Sequence, residues 1–300
     1  LICGPYGWGE FAPFLEYGAQ ESAAWLACTL EAAWLPTPKP VRTRIPLNAT
    51  LPAVPAERVP EVLAKYEGEI QELKIKVAEK GQSLADDIAR VAAAREALPN
   101  ARLKVDANMG YTLAGALEAL RKLCEYGIIY AEQPVASIED MAALRFAIAK
   151  EGLPARIAAD ESIRKAEDPL KVARANAADL MVIKAAPLGG VRRALALVEQ
   201  AQLPAVVSSA LESSVGIATG ASLAASLPTL RYGCGLGTVS LMAEDVTDEP
   251  LIARDGFMDL RAITPNPRRL ERLATDKQTR QWWVERVTAC YRVLERACGL

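Results

Sequence analysis

Eight short apolar runs, each set apart from the next by a stretch of helix length, constrain this chain more than any other feature. They are PLNATLPAV (46–54), ELKIKV (72–77), RLKVDAN (102–108), GIIYAEQP (127–134), RIAADES (156–162), DLMVIKAAP (179–187), LPAVVSSALE (203–212) and RYGCGLG (231–237). Between them lie alanine- and leucine-rich stretches such as SLADDIARVAAAREAL (83–98) and TLAGALEALRKLCEYG (112–127), with helical periodicity and polar flanks. Strands joined by helical crossovers pair in parallel, and eight such units predict an α/β fold of the (β/α)8 barrel type. An open doubly wound sheet is the competing architecture.

The flanks break this rhythm. Residues 1–45 hold Gly- and Pro-rich turns, a helical segment at 20–34 and the link LPTPKP; residues 239–300 run through an irregular stretch into a helix at 276–299. The expected organisation is a small α+β capping domain formed from both chain ends (1–45 with 239–300) around a barrel at 46–238. At 51% hydrophobic over 300 residues, the chain has enough apolar material for such a core.

Several chemistries fall away on composition. There is no histidine, which removes Ser-His-Asp and Cys-His mechanisms, histidine-ligated zinc and imidazole acid–base catalysis. The six cysteines form no C-x-x-C pair, which argues against a zinc ribbon and against a disulfide framework. A net charge of -2 leaves no basic footprint for nucleic acid or anionic lipid. No apolar run reaches the ~18 residues of a membrane span, and LICGPYGWGEF lacks the pattern of a signal peptide. A cytoplasmic protein acting on a small polar or anionic metabolite is expected, with no nucleic-acid or membrane partner. No residue pattern fixes an oligomeric state, and a monomer is compatible with the sequence.

In parallel barrels the reactive groups stand at the C-terminal ends of the strands. Those ends carry Lys74 and Lys76, then Asp106 and Asn108, Glu132, Asp160 and Glu161, Lys184, and finally Ser208, Ser209 and Glu212. Residues i and i+2 of a strand face the same way, so Lys74 and Lys76 point together. Taken alone, two such lysines are the wet face of a half-exposed strand. Asp106, Glu132 and Asp160 recur at intervals of about one strand–helix unit, which places three carboxylates on adjacent strands at one height. Side by side they repel, and a divalent cation resolves the repulsion. An all-oxygen donor set favours Mg2+, with Mn2+ second. Lys76 and Lys184 then flank that centre. Singly, each residue is as well explained as a solvated strand end or a helix cap; together, in barrel register, they describe one site.

The series K-I-K, D-A-N, E-Q-P, D-E-S and V-I-K at these intervals resembles the enolase superfamily, in the subgroup that includes muconate cycloisomerases. GWGEFAPFLEY (7–17) is similar to that family's capping domain, so the likeness spans nearly the whole chain; it implies that the N-terminal part of the capping domain, in 1–45, is incomplete in this numbering. Within the superfamily, SSALESSVG (208–216) and GLGT (235–238) look like the o-succinylbenzoate synthase family. The resemblance implies a Mg2+-dependent dehydration of a succinyl-bearing hydroxycyclohexadiene carboxylate to o-succinylbenzoate, in menaquinone biosynthesis, with a small dicarboxylate as partner. N-succinylamino acid racemases and dipeptide epimerases share the same machinery. A barrel that binds a carboxylate without turning it over is the reading from another class.

On this reading Asp106, Glu132 and Asp160 hold the metal and Lys76 is the general base, its pKa pushed down by Lys74 and by Lys184 across the pocket. Lys184 is either the electrostatic partner of a synthase or the second acid–base group of a racemase. Asn108 and Glu161 orient the metal ligands from behind. Backbone N–H groups around Ser208, Ser209 and Ala210, and around Gly235, Leu236 and Gly237, are expected to bind substrate carboxylates. Lys104 stands where relatives carry arginine, which weakens its claim to the succinyl carboxylate. Phe11, Phe14 and Tyr17 are expected to serve core packing.

Overall fold

The structure is a computed structural model that describes residues 1–164 and 168–298. Among the described residues, the principal sheet consists of seven parallel strands in sequence order. They are β1 (Ala49–Leu51), β2 (Glu72–Lys76), β3 (Arg102–Asp106), β4 (Ile128–Glu132), β5 (Arg156–Ala159), β6 (Leu180–Ile183) and β7 (Ala205–Val207). The sheet curls, with each strand paired to the next.

Helices cover its outer face because their starts are written into the chain. α1 (Ala19–Trp34) belongs to the N-terminal flank. α2 (Leu84–Ala97) follows Ser83, whose hydroxyl accepts from Asp86 N while the Asp86 carboxylate accepts from Ser83 N, a reciprocal cap. Thr112 caps α3 (Leu113–Leu123) by accepting from Gly115 N, and Ser137 caps α4 (Ile138–Glu151) by accepting from Asp140 N, neither with a return bond. α5 (Val191–Ala201) and α6 (Ser214–Ser226) complete the layer, and α7 (Lys277–Cys298) lies against α1. Residue 299 of the expected C-terminal helix lies outside the described residues. Between β5 and β6 the described residues carry two short helical turns, Glu161–Arg164 and Lys171–Arg174, in place of one crossover helix. Among the described residues, no helix is long and apolar enough to cross a membrane.

The expected eighth strand at 231–237 is not a continuous strand. It contributes two isolated parallel bridges, Leu47 with Cys234 and Ser208 with Gly235, so a short extended segment touches both β1's approach and β7's exit. Cys234 N donates to Pro46 O at 2.8 Å and Gly235 N to Val207 O at 2.9 Å. Glycine permits this close passage: a Cβ on Gly233 would stand 2.9 Å from the Leu47 carbonyl carbon, and one on Gly235 would stand 2.6 Å from Ser208 Oγ. The first expected strand also divides. Arg44–Pro46 pairs antiparallel with Phe257–Asp259 of the C-terminal flank before β1 begins.

Two hydrophobic clusters divide the sheet's faces. The larger fills the space between strands and helices. The smaller, Tyr130, Ala158, Leu180, Val182, Val206 and Tyr232, lines the inside of the curl. That inner row positions the site. Two residues beyond Tyr130, Ala158, Val182 and Val206 come Glu132, Asp160, Lys184 and Ser208, which the strand period of two turns to the same inner face.

Candidate active site

The strand register brings the lysines and carboxylates into contact. Lys76 and Asp106 are Cα partners across β2–β3, and Asp106 and Glu132 are partners across β3–β4. Lys74 Nζ lies 3.2 Å from Asp106 Oδ2 and 3.2 Å from Glu132 Oε1. Lys76 Nζ donates to Asp106 Oδ2 and to Asn108 Oδ1, each at 2.6 Å. On the far side Lys184 donates to both Asp160 oxygens, at 2.7 and 2.6 Å. Asp106, Glu132 and Asp160 are buried, and Lys76, at 31% side-chain exposure, is the most open of these lysines.

Electrostatics separates their roles. Burial pushes the Glu132 carboxyl up to about 7, and the neighbouring Asp106 and Asp160 charges add to the shift against the pull of Lys74. Burial acts on Asp106 in the same direction, but Lys74 and Lys76 outweigh it and hold its carboxyl below the usual range. For Lys74 burial disfavours the ammonium, yet Glu132, Asp106 and Asp160 prevail and raise it well above the ordinary lysine value. The shared face of Lys74 and Lys76 is met by carboxylates on the next two strands, and Lys74 is the fixed cation between them.

Among the described residues, no three Cys, Asp or Glu side chains stand close enough together to hold an ion as arranged; the Lys74 ammonium lies between Asp106 and Glu132. The donor chemistry nevertheless suits a hard cation. A nitrogen cation already bridges Asp106 and Glu132 at 3.2 Å, and among the described residues the buried Glu161 Oε2 has no hydrogen-bond partner.

Asn108 and Glu161 are brought together: Asn108 Nδ2 donates to Glu161 Oε1 at 3.2 Å. Four of the expected backbone donors, those of Ser208, Ser209, Ala210 and Gly235, are already bonded within the protein. Ser208 N donates to Ile183 O, Ser209 N to Gly235 O, and Gly235 N to Val207 O, while Ala210 N donates to Glu212 Oε2 at 2.6 Å. Strand pairing and a buried carboxylate consume these groups, so the expected carboxylate clamp of main-chain amides is corrected for Ser208, Ser209, Ala210 and Gly235. The Ser209 hydroxyl instead pairs with Thr238 Oγ1 at 2.9 Å. Leu236 is fully buried and lines, with Ser208, Ser209, Glu212, Glu10 and Cys28, a cavity of about 10 Å3, which is room for a single water at most. A cavity of about 520 Å3, lined by Arg44, Asp248, Phe257 and Asp259 among others, touches none of the rim residues.

Lys104 points away from the site. Its buried ammonium donates to Glu72 Oε2 at 3.1 Å and to Gly233 O at 2.8 Å, toward the strand starts. Phe11 packs edge-on against Trp283, and Tyr17 against Phe14 and Trp25.

Three residues escaped sequence reasoning. Gln133 Oε1 accepts from Asp160 N and Ser162 N, at 3.0 and 3.1 Å, and so shapes the rim. Glu10, from the N-terminal flank, accepts from Ser213 N, Ser213 Oγ and Gly216 N at the start of α6. Arg164 reaches Glu161 and Asp160 from one helical turn. Only Arg164 carried a local signal, its spacing of three and four from two acids.

Known proteins resemble the chain throughout. Residues 56–265 match the enolase C-terminal domain-like family and residues 1–33 the enolase N-terminal domain-like family. The sequence is 54% identical over 295 residues to the o-succinylbenzoate synthase of Mycolicibacterium smegmatis, covering 98% of this chain and 89% of that protein. It is 51% identical over 300 residues to the o-succinylbenzoate synthase of Mycobacterium tuberculosis, covering 100% and 89%. Among solved structures, 2-chloromuconate cycloisomerase from Rhodococcus opacus aligns with a TM-score of 0.70 at 27% identity, over 79% of this chain and 67% of that one. Muconate cycloisomerase from Pseudomonas fluorescens aligns with a TM-score of 0.67 at 28% identity, over 77% and 66%.

Proposed function

The chain belongs to the enolase superfamily, and from that premise we propose that it is a Mg2+-dependent o-succinylbenzoate synthase, a carbon–oxygen lyase acting in the cytoplasm in menaquinone biosynthesis. Its identity to proteins of that name over its whole length supports the choice within the superfamily. The observation that carries the chemistry is the pair of lysines on β2 and at the end of β6, each held on a different carboxylate of the same rim.

In this reading the working unit is an eight-unit barrel at 46–238, and the isolated bridges of Cys234 and Gly235 to either end of the seven-stranded sheet support its closure. The capping domain combines 1–45 with 239–300, in keeping with the packing of α1 on α7.

Charge balance favours a divalent ion once substrate is present. Asp106, Glu132, Asp160 and Glu161 are matched by Lys74, Lys76, Lys184 and Arg164, so a dicarboxylate brings uncompensated negative charge into a buried site. Asp106, Glu132 and Asp160 would hold Mg2+, with Mn2+ as a substitute, and the ion would supply electrostatic stabilisation of the substrate carboxylate as negative charge develops on it.

The chain's own residues perform the proton transfers. The Lys76 amine takes the proton alpha to the carboxylate as the C–H bond breaks. It returns that proton to the departing hydroxyl as the C–O bond breaks, and water leaves. Lys184 stands at the opposite side, oriented by both Asp160 oxygens, and stabilises the anion electrostatically. Asn108 holds Lys76 through its side-chain oxygen. Glu161 in turn holds the Asn108 amide.

The presence of a second lysine on the far side also supports an N-succinylamino acid racemase or dipeptide epimerase, in which Lys184 serves the other face. Two assays with Mg2+ separate these readings: ultraviolet detection of the aromatic product from the hydroxycyclohexadiene substrate, and solvent deuterium exchange at the α-carbon of an N-succinylamino acid. Product without exchange supports the synthase; exchange without product moves the protein to the racemases.

A further inference from the structure

Behind Lys76 runs a line of polar contacts that ends in the capping segment. Lys76 donates to Asn108 Oδ1 at 2.6 Å, and Asn108 Nδ2 donates to Glu161 Oε1 at 3.2 Å. The same Glu161 oxygen accepts from Arg164 Nη2 at 3.1 Å, and Arg164 Nη1 donates to Tyr17 Oη at 2.8 Å. Arg164 Nε lies 3.5 Å from Asp160 Oδ1, the carboxylate that carries Lys184. One guanidinium therefore stands beside both lysine arms and the N-terminal flank.

Chemistry gives this line a direction. An ammonium can meet only the oxygen of the Asn108 amide, and a carboxylate can meet only its nitrogen. Glu161 thus dictates which way the Asn108 amide points. Asn108 sits at φ +43, in the left-handed region, which asparagine tolerates better than most other side-chain-bearing residues. Glu161 is tied down through Oε1, since among the described residues Oε2 has no partner, and the described hydrogen bonds that place it come from Arg164 and Asn108. Arg164 is anchored in turn by Tyr17, whose ring packs against Phe14 and Trp25. The backbone around Tyr17 is fixed from the C-terminal flank: Arg286 Nη2 donates to Phe14 O at 2.6 Å and to Tyr17 O at 2.8 Å.

We propose that Arg164 is a positioning residue that couples the capping segment to the base: its bond to Tyr17 fixes Glu161, Glu161 sets the orientation of the Asn108 amide, and that amide holds the Lys76 side chain in place. The inference rests on the assignment of Lys76 as the base. It makes seating of the capping segment a condition for correct placement of Lys76. A lysine at 164 lacks the planar fork needed to reach Tyr17 and Glu161 at once.

The test compares wild type with Arg164→Gln, Arg164→Lys, Tyr17→Phe and the Arg164→Gln/Tyr17→Phe double variant. The first readout needs no substrate: the rate at which a small amine-acylating reagent modifies Lys76, mapped by peptide mass at one fixed Mg2+ concentration, with exposed Lys80 as internal reference. Release of Lys76 is expected to raise its modification severalfold in each variant while Lys80 is unchanged. The second readout is turnover of the hydroxycyclohexadiene substrate. Loss of positioning lowers kcat by roughly 10- to 100-fold in Arg164→Gln and less in Tyr17→Phe, with KM within about threefold. The double variant is no worse than Arg164→Gln, because both act through one line of contacts. Unchanged Lys76 modification across the folded variants overturns the proposal, as do additive losses of kcat. If wild type fails to turn over this substrate, the functional reading falls and the modification experiment still decides the role of Arg164. If Arg164→Gln does not fold, Tyr17→Phe, which removes a single oxygen, decides it.

Discussion

Lys76 and Asp106 face each other across β2 and β3, Cα partners in register, with Nζ 2.6 Å from Oδ2. The residue proposed as the base and a carboxylate proposed to hold the metal are therefore neighbours by strand pairing and not by loop placement. A group that moves the proton and a group that holds the ion are separable by mutation in such an arrangement. Lys76→Ala is expected to lower kcat by about 10^3-fold or more, while calorimetry still detects Mg2+ binding. Near-normal turnover in that variant removes Lys76 as the base.

Asp106, Glu132 and Asp160 share one rim with a surplus of negative charge once a dicarboxylate enters. Exhaustive treatment with a chelator is expected to abolish product formation, and Mg2+ or Mn2+ to restore it. Asp160→Asn should weaken Mg2+ binding by at least the roughly 10- to 100-fold typical of losing a group that only supports a ligand, and also leave Lys184 with half of its present anchor. Full activity in excess chelator would sink the metal assignment.

The residues of this site were legible because β strands repeat every two positions. Tyr130 to Glu132, Ala158 to Asp160 and Val182 to Lys184 each step from the inner core to the rim, so strand ends alone assemble the acids and lysines. What escaped depends on contacts between segments far apart in the chain. Glu10 meets α6 and Tyr17 meets Arg164 across distances that no local pattern encodes. The main-chain donors at Ser208 and Gly235 were misjudged for a related reason: whether an N–H is free depends on the strand beside it, and the last segment bonds to both of its neighbours. The eighth strand itself was legible as an apolar, glycine-rich run but not as two single bridges, since close approach is decided by Leu47 and Ser208.

Lys104 tests the division between fold and function. Its ammonium is buried, lowered from the ordinary lysine value by that burial against the pull of Glu72, and bonded to Glu72 and Gly233 O far from the rim. Lys104→Ala leaves Glu72 short of a partner and the last segment short of a tie. A loss of about 3 kcal/mol in unfolding free energy is expected, in the range for breaking a buried pair, with kcat per folded molecule within about twofold of wild type. Denaturant titration and active-protein counting measure the two effects. A large drop in kcat without a stability loss would return Lys104 to the substrate site.

Glu212 supplies a pH dependence where the N-terminal flank, through Glu10, meets the start of α6. Burial pushes its carboxyl up to about 7, with Ala210 N partly opposing and Glu10 adding to the rise. The folded value lies above the unfolded one, so between about pH 4.5 and 7 the folded protein keeps a proton that the unfolded chain has released. Its contribution to stability is therefore fully present below that window and declines as pH rises through it, by about 3 kcal/mol at most. Glu212→Gln keeps an acceptor for Ala210 N and removes the titration. Relative to wild type, the variant should be near parity at pH 5 and more stable at pH 7.5, with urea unfolding at both values as the measurement. Because every other titrating group is common to both proteins, parallel stability curves would mean that Glu212 is not held protonated in the folded state.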